Sequence, residues 1–320
     1  DWTGFRQKIK DSDLSSDKKN KIIKIIDSNK HPEQKEKEIR ALAGDLNTLE
    51  PYLAPLRRTN IVIAGQRAAR TPAEIDSIAN AYLRDKEKVK IKEAFTQEEW
   101  LEAATRTHGT EGKKTLLLAY YQVYPEDYRV TNNLGVMEAQ ANINNAEEAE
   151  AYFKKSITVN AGDFTAYNNL GVLYSNMKRY QEAEENFKKA LEIKDLPEIH
   201  YNFGLMYSRA GNYSNAIHQF NSAEDVEGRK LNRGIAKLLL KEYPDAETDL
   251  KSHLEEFPED ARAYYALAVL GARQGNQQMV TENLDRACGL EPDFCEKARA
   301  DAEFRNYEAN PEFQNVTVRK

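Results

Sequence analysis

Residues 168–190 read Asn168-Asn169-Leu170-Gly171-Val172-Leu173-Tyr174-Ser175-Asn176-Met177-Lys178-Arg179-Tyr180-Gln181-Glu182-Ala183-Glu184-Glu185-Asn186-Phe187-Lys188-Lys189-Ala190. A step of 33 residues finds the pattern again. Asn169, Leu170, Gly171, Tyr174, Ala183, Phe187 and Ala190 return as Asn202, Phe203, Gly204, Tyr207, Ala216, Phe220 and Ala223. The later Ala, aromatic and Ala are four and three residues apart and so share one face of a helix. A small residue beside bulky ones, earlier in the unit, is what a close helix crossing requires. Each copy therefore reads as a hairpin of two helices, A and then B, and adjacent copies build a core that grows hairpin by hairpin.

Weaker copies lie in register on both sides. Asn133-Leu134-Gly135 goes with Ala149, Phe153 and Ser156 if the turn 141–146 holds a two-residue insertion. Downstream, Asn232 and Gly234 go with Ala246, Leu250 and Pro258, and Leu267-Ala268 with Leu284, Ala287 and Pro292. Upstream, Trp100-Leu101 with Leu117, Tyr120 and Pro125 forms a degenerate lead-in repeat. Over about residues 97–292 the chain resembles the tetratricopeptide-repeat family. The resemblance implies a mainly α fold, a right-handed superhelix of helix hairpins, with a concave groove that binds a protein or an extended peptide. Pro125, Pro258 and Pro292 stand where a B helix must stop. The expected division is a lead-in repeat at 94–127, five repeats at 128–292, and a capping helix with a tail at 293–320. Phe294, Ala298, Ala302 and Phe304 mark the cap, and Pro311–Lys320 is expected to fray.

Residues 1–93 read as a small helical domain with a short strand. Trp2/Phe5/Ile9, Ile22/Ile23/Ile25/Ile26 and Ile39/Leu42/Leu46/Leu49 are spaced for amphipathic helices. The Lys-rich stretch 18–30 reads as the solvated face of such a helix rather than a membrane-binding one. After Pro51 and Pro55, Leu56-Arg57-Arg58-Thr59-Asn60-Ile61-Val62-Ile63 reads as an arginine pair leading into a β-branched strand, with Lys88–Ile91 as a candidate strand partner. This junction, with the Trp2-x-Gly4-Phe5 opening, resembles the end of OmpA-like domains that precede such repeats in Gram-negative envelope proteins. That resemblance implies a periplasmic protein associated with the outer membrane or cell wall, with contact to peptidoglycan through sequence upstream of Asp1. The Asp and Arg with which that family contacts peptidoglycan have no counterpart here, so no such residue is carried over.

Charge divides the chain in the same place. Residues 1–96 carry 20 Lys/Arg and 15 Asp/Glu, residues 97–320 carry 26 and 37, and the whole is −6. An acidic array argues against nucleic acid, which needs clustered basic excess. With a hydrophobic share of 40% and a mean hydropathy of −0.76, the sequence shows no apolar run near the ~18 residues of a membrane span.

The chemistry-bearing residues form no catalytic set. Gly109-Thr110-Glu111-Gly112-Lys113-Lys114 has the wrong glycine spacing for a phosphate loop and reads as a turn between helices. His31, His108, His200, His218 and His253 fall in no metal-ligand spacing, so neither metal nor cofactor is expected and the chain reads as a binder, not an enzyme. The candidate partner-binding residues lie on the A helices. Asn133, Asn169, Asn202 and Asn232 recur two residues before the small residue, where the resemblance places them in the groove, and the ladder stops at Ala266. An Asn amide matches both groups of an extended peptide backbone, although the same amides serve equally to brace the neighbouring helix. Asn132, Asn168, Tyr201, Arg129 and Arg209 are their groove neighbours. Cys288 and Cys295 flank the Pro292 turn, close enough for a disulfide, with two separate thiols as the alternative. Two rival functions stand beside the peptide scaffold: an envelope protein anchoring the outer membrane to peptidoglycan, and an accessory subunit presenting substrate to an enzyme on another chain.

Overall fold

The structure is a computed structural model and describes residues 2–12, 14–30, 32–43, 70–87, 89–141 and 145–318. The chain forms two compact units, 1–73 and 74–320.

The first unit contains helices α1 (Trp2–Asp11), α2 (Ser16–Ile26) and α3 (Pro32–Ala43). Phe5, Ile9, Ile22, Ile26 and Ile39 form its buried cluster, so the isoleucine periodicity faces inward as the spacing predicts. Ser15 caps α2 by accepting from the Lys18 N–H, and Arg6 pairs with Asp27 at 2.7 Å. The strand expected at Asn60–Ile63, with the arginine pair before it, lies outside the described residues. Its expected partner is corrected: Ile91–Ala94 is a helical turn, and no strand occurs among the described residues. A small domain with a strand element is therefore not supported.

The second unit opens with α4 (Pro72–Arg84) and the short α5 (Ile91–Ala94). The lead-in hairpin is α6 (Gln97–Arg106) and α7 (Thr110–Val123). Ile75 and Tyr82 of α4 share a buried cluster with Trp100, Leu117 and Tyr120, so α4 covers the first hairpin. Five hairpins follow: α8 (Tyr128–Ala141) with α9 (Ala146–Val159), α10 (Phe164–Asn176) with α11 (Tyr180–Ile193), and α12 (Pro197–Arg209) with α13 (Tyr213–Ser222). The last two are α14 (Arg229–Leu239) with α15 (Tyr243–Glu256), and α16 (Ala261–Gln274) with α17 (Gln277–Leu290).

The repeat motif works as its spacing implies. A Cβ on Gly135, Gly171 or Gly204 would stand 2.6–3.0 Å from ring carbons of Phe153, Phe187 or Phe220, so each aromatic ring lies flat against the bare backbone of its own A helix. The alanines flanking Phe187 and Phe220 are fully buried. Helix A turns into helix B through one left-handed residue, Lys178, Gly211, Lys241 or Gly275, with φ between 60° and 76°. The next N–H then closes back on the helix, as from Arg179 to Tyr174 O at 2.8 Å and from Asn276 to Gly271 O at 2.8 Å.

The array ends in α18 (Asp293–Ala300), a 3₁₀ turn (Ala302–Tyr307) and α19 (Pro311–Thr317). The expectation of a frayed tail from Pro311 is corrected. Asn310 caps α19 by accepting from Glu312 and Phe313, Pro311 occupies the first turn where its missing N–H costs nothing, and Phe313 packs on Phe304 with ring centroids 5.9 Å apart. Cys288 and Cys295 are joined across the Pro292 turn, their Cα atoms 5.2 Å apart.

Candidate functional site

Each A helix packs against the next, α8 on α10, α10 on α12, α12 on α14 and α14 on α16, as well as on the B helices beside it. A layer in which successive helices touch is the inner layer of a curved stack, so the A helices line the concave side.

On that side the asparagines form a chain of rungs. Asn169 Nδ2 donates to Asn132 Oδ1 at 3.0 Å, Asn202 Nδ2 to Asn168 Oδ1 at 3.1 Å, and Asn232 Nδ2 to the Tyr201 hydroxyl at 2.9 Å. The ladder residue of one repeat thus grips the residue just before the ladder position in the previous repeat. Seven of the sequence-derived candidates, Asn132, Asn168, Asn169, Tyr201, Asn202, Asn232 and Asn133, lie half-buried along this line. The rungs use part of each amide. Asn232 Nδ2 also donates to Gly228 O at 3.0 Å, which employs both its N–H groups, whereas Asn169 and Asn202 each keep a second N–H. Burial in the groove raises the pKa of Tyr201, so its hydroxyl stays protonated at neutral pH.

The two arginines are held differently. Arg129 forks onto Asp127, with Nη2 at 2.7 Å and Nε at 3.0 Å from its oxygens, and Asp127 also accepts from the buried Tyr120 hydroxyl. Burial raises the Asp127 pKa, but the Arg129 fork and the tyrosine outweigh it and the carboxyl titrates below its ordinary value. Arg209, an exposed side chain, reaches back one repeat to the neutral Ser175 Oγ at 3.3 Å and Asn176 Oδ1 at 3.0 Å.

Two features escape a reading of the sequence alone. Val136, Val172, Leu205 and Ile235 stand one residue after the glycine, and the first three stand four after the rung acceptors Asn132, Asn168 and Tyr201, which puts them on the same stripe of each A helix as half-buried aliphatic neighbours of the rungs. Their common register was the available signal. The Asp-x-Arg of Asp127/Arg129 is also repeated at Asp260/Arg262, where Arg262 forks onto Asp260 at 2.9 and 2.7 Å and His253 Nε2 lies 2.9 Å from the same carboxylate. No group of His, Cys, Asp or Glu suited to a metal occurs among the described residues. The Gly109–Lys114 stretch begins helix α7 instead of forming a phosphate cradle.

Comparison with known proteins agrees with this geometry. Sequence models of the tetratricopeptide repeat match residues 164–195 and 231–278. The array is made of tetratricopeptide repeats. Its fold is similar to a chain of the APC/C hetero-tetramer Cut9-Hcn1 (TM-score 0.55, 14% identity, 81% of this chain and 49% of that one). It is similar also to Pseudomonas aeruginosa pilF (TM-score 0.53, 16% identity, 73% of this chain and 98% of that one). Among curated proteins, protein O-mannosyl-transferase TMTC1 of Homo sapiens is 27% identical over 39% of this chain. Protein O-mannosyl-transferase TMTC3 of Homo sapiens is 25% identical over 54% of it. This chain spans 14% and 20% of their lengths, so only a minor part of either protein is compared.

Proposed function

We propose that the chain is a scaffold that holds a protein or an extended peptide segment against the inner face of the A helices between Tyr128 and Gln274. The observation that carries this reading is the row of rungs. It fixes amide groups at one per repeat beside an aliphatic stripe, and leaves N–H donors on Asn169 and Asn202 directed away from their bracing partners. A fixed line of donors beside apolar contacts is what an extended backbone requires for sequence-tolerant binding. Arg209, neutral in its contacts, would add preference for an acidic group on the ligand.

The setting is proposed as the bacterial envelope, with the periplasm as compartment. The Cys288–Cys295 bridge supports an oxidising location, and the OmpA-like character of the N-terminal junction supports the envelope. No helix among the described residues is long and apolar enough to cross a membrane. Anchoring to peptidoglycan remains a property of the resemblance alone. The reading as an accessory of an enzyme on another chain draws support from the two transferase relatives that share the repeat stretch.

The test is a partner captured from envelope extract by the 320-residue chain, its binding segment made as a peptide and titrated against the wild type and against Asn133→Ala/Asn202→Ala. Affinity should fall by about 1–3 kcal/mol with the melting temperature nearly kept, because Asn133 makes no rung and Asn202 makes one. Unchanged affinity would remove the groove from the binding site.

A further inference from the structure

Two of the five repeats carry the same stripe on helix A. Three residues before the small residue, one after it and five after it stand Tyr201, Leu205 and Arg209 on α12, and Tyr265, Val269 and Arg273 on α16. Steps of four keep such residues on one side of a helix, with about 12 Å from first to last. The other three repeats have amides or leucines at both ends of the stripe. Tyrosine paired with arginine is confined to the third and the fifth.

On the fifth repeat the chain's own cap lies on this stripe. The Tyr265 hydroxyl donates to Asp301 Oδ2 at 2.6 Å. Arg273 turns Nε and Nη2 onto the Glu303 carboxylate at 3.0 and 2.6 Å, while its Nη1 reaches back one repeat to Leu238 O at 3.1 Å. Asp301 and Glu303 are one residue apart, and the Glu303 N–H donates to Asp301 Oδ1 at 3.0 Å, which sets the two carboxylates relative to each other. An acidic-x-acidic turn therefore spans the stripe, with one carboxylate on the tyrosine and the other on the arginine.

On the third repeat the same two side chains take the same posture. Arg209 also spends Nη1 on the repeat behind it, at Ser175 Oγ and Asn176 Oδ1, and its Nε and Nη2 have no acceptor among the described residues. Those are the two nitrogens with which Arg273 holds Glu303. Asn232 donates to the Tyr201 hydroxyl, which leaves that hydroxyl its own proton to give, and this proton has no acceptor among the described residues. The Tyr201 ring lies against Phe220 with centroids 5.9 Å apart, so the hydroxyl is fixed in place. Helix α14 packs on α12 as the capping turn packs on α16, yet Arg209 remains exposed.

Resting on the reading of this face as a groove, we infer that Tyr201 and Arg209 receive an acidic segment of the partner protein, with two carboxylates one residue apart, as Tyr265 and Arg273 receive Asp301 and Glu303. A guanidinium edge gives a carboxylate two parallel, charge-assisted hydrogen bonds, which selects for geometry as well as charge. Residues 97–320 carry 26 Lys/Arg against 37 Asp/Glu, so the array does not draw an acidic segment in from a distance. Screening beyond about 8 Å at physiological salt leaves the choice to these local donors.

The probe is a blocked peptide of sequence Ala-Asp-Ala-Glu-Phe, the sequence of residues 300–304, titrated into the whole 320-residue chain. Its neutral counterpart is Ala-Asn-Ala-Gln-Phe. The acidic peptide should bind the wild type about tenfold more tightly than the neutral one, and Arg209→Gln should remove that advantage. Tyr201→Phe should weaken the acidic peptide about threefold. Arg273→Gln should leave its affinity unchanged. Equal affinity for the two peptides overturns the inference, as does no binding of the acidic one, or an unchanged preference in Arg209→Gln. Loss in Arg273→Gln instead of Arg209→Gln would place the peptide at the cap and overturn it too. Should a variant fail to fold, the two peptides on the wild type decide alone. The groove reading fails separately, when the captured partner binds Asn133→Ala/Asn202→Ala as tightly as the wild type. If that variant weakens the partner while the two peptides bind alike, only the acidic preference is lost.

Discussion

The third and fourth hairpins follow one backbone plan and are filled with opposite chemistry. In the third, Gly204 admits the Phe220 ring to the helix backbone and Phe203 stacks on Phe187 of the hairpin before it, so shape and burial define the contacts. In the fourth, Gly234 meets the aliphatic Leu250, and Arg233 and Lys237 are held by Asp249 of their own B helix. The plan is therefore a matter of helix spacing and turn geometry, while the chemistry of each hairpin is set by two side chains on helix A. A contact of rings resists any single loss in proportion to area. A contact of charges fails when one member is removed.

The largest effect is expected from Phe187→Ala, which empties a fully buried ring site touching both repeats. About 3–5 kcal/mol of stability should disappear in equilibrium unfolding. Asp249→Ala should cost about 3 kcal/mol for a different reason, since it leaves two sequestered cations without their carboxylate. A loss below 1 kcal/mol would show that water reaches the cluster and that the two hairpins differ less than described. Gly204→Ala and Gly234→Ala sharpen the contrast at the helix crossing. The added methyl meets ring atoms at 2.6 Å in the first and Leu250 at 3.0 Å in the second. About 2 kcal/mol should be lost at Gly204. At Gly234 the net change should lie within about 1 kcal/mol, because a leucine end can move and alanine favours the helix.

Smaller effects come from the ends. Alkylation of the unreduced chain followed by mass measurement should find no free thiol. Reduction should lower stability by about 2 kcal/mol, the entropy of a short closed loop. Two labelled cysteines would refute the bridge. The smallest is a pH effect at the fourth-to-fifth junction. Burial raises the Asp260 pKa, yet hydrogen bonds from Arg262 and His253 bring it down to about 2 from the ordinary 3.8. The stabilisation is present above the ordinary value and is lost as the pH falls from about 4 through about 2. Asp260→Asn should flatten that part of the stability curve, and a slope unchanged in the variant would assign it to other carboxylates.

Much of this architecture was readable in advance because the repeat motif has one physical meaning. Gly171 and Phe187 specify a helix crossing whether or not anything else is known. What the motif could not convey is which way a polar side chain turns its hydrogen bonds. Asn169, Asn202 and Asn232 recur at a groove position, but only the structure shows each amide gripping the preceding repeat, so part of the ladder is bracing. Arg233 and Lys237 stood in plain view as departures from the pattern. Their convergence on Asp249 depends on where α15 places its second turn, a tertiary fact. At the C terminus Pro311 reads from the sequence as the start of loose chain, whereas Asn310 and Phe313 show it to be the first turn of a packed helix.

The ring beneath each glycine has a consequence for how such a chain changes over time. Gly171 and Phe187 are 16 residues apart, as are Gly204 and Phe220, while the glycines of successive hairpins are separated by 36, 33 and 30 residues from Gly135 onward. The lock lies inside the hairpin and the variation lies mostly between hairpins. Each unit keeps its own alignment, so residues can be gained or dropped at a junction without shifting the helices on either side. The junctions are thus where an array of this kind can acquire new behaviour cheaply.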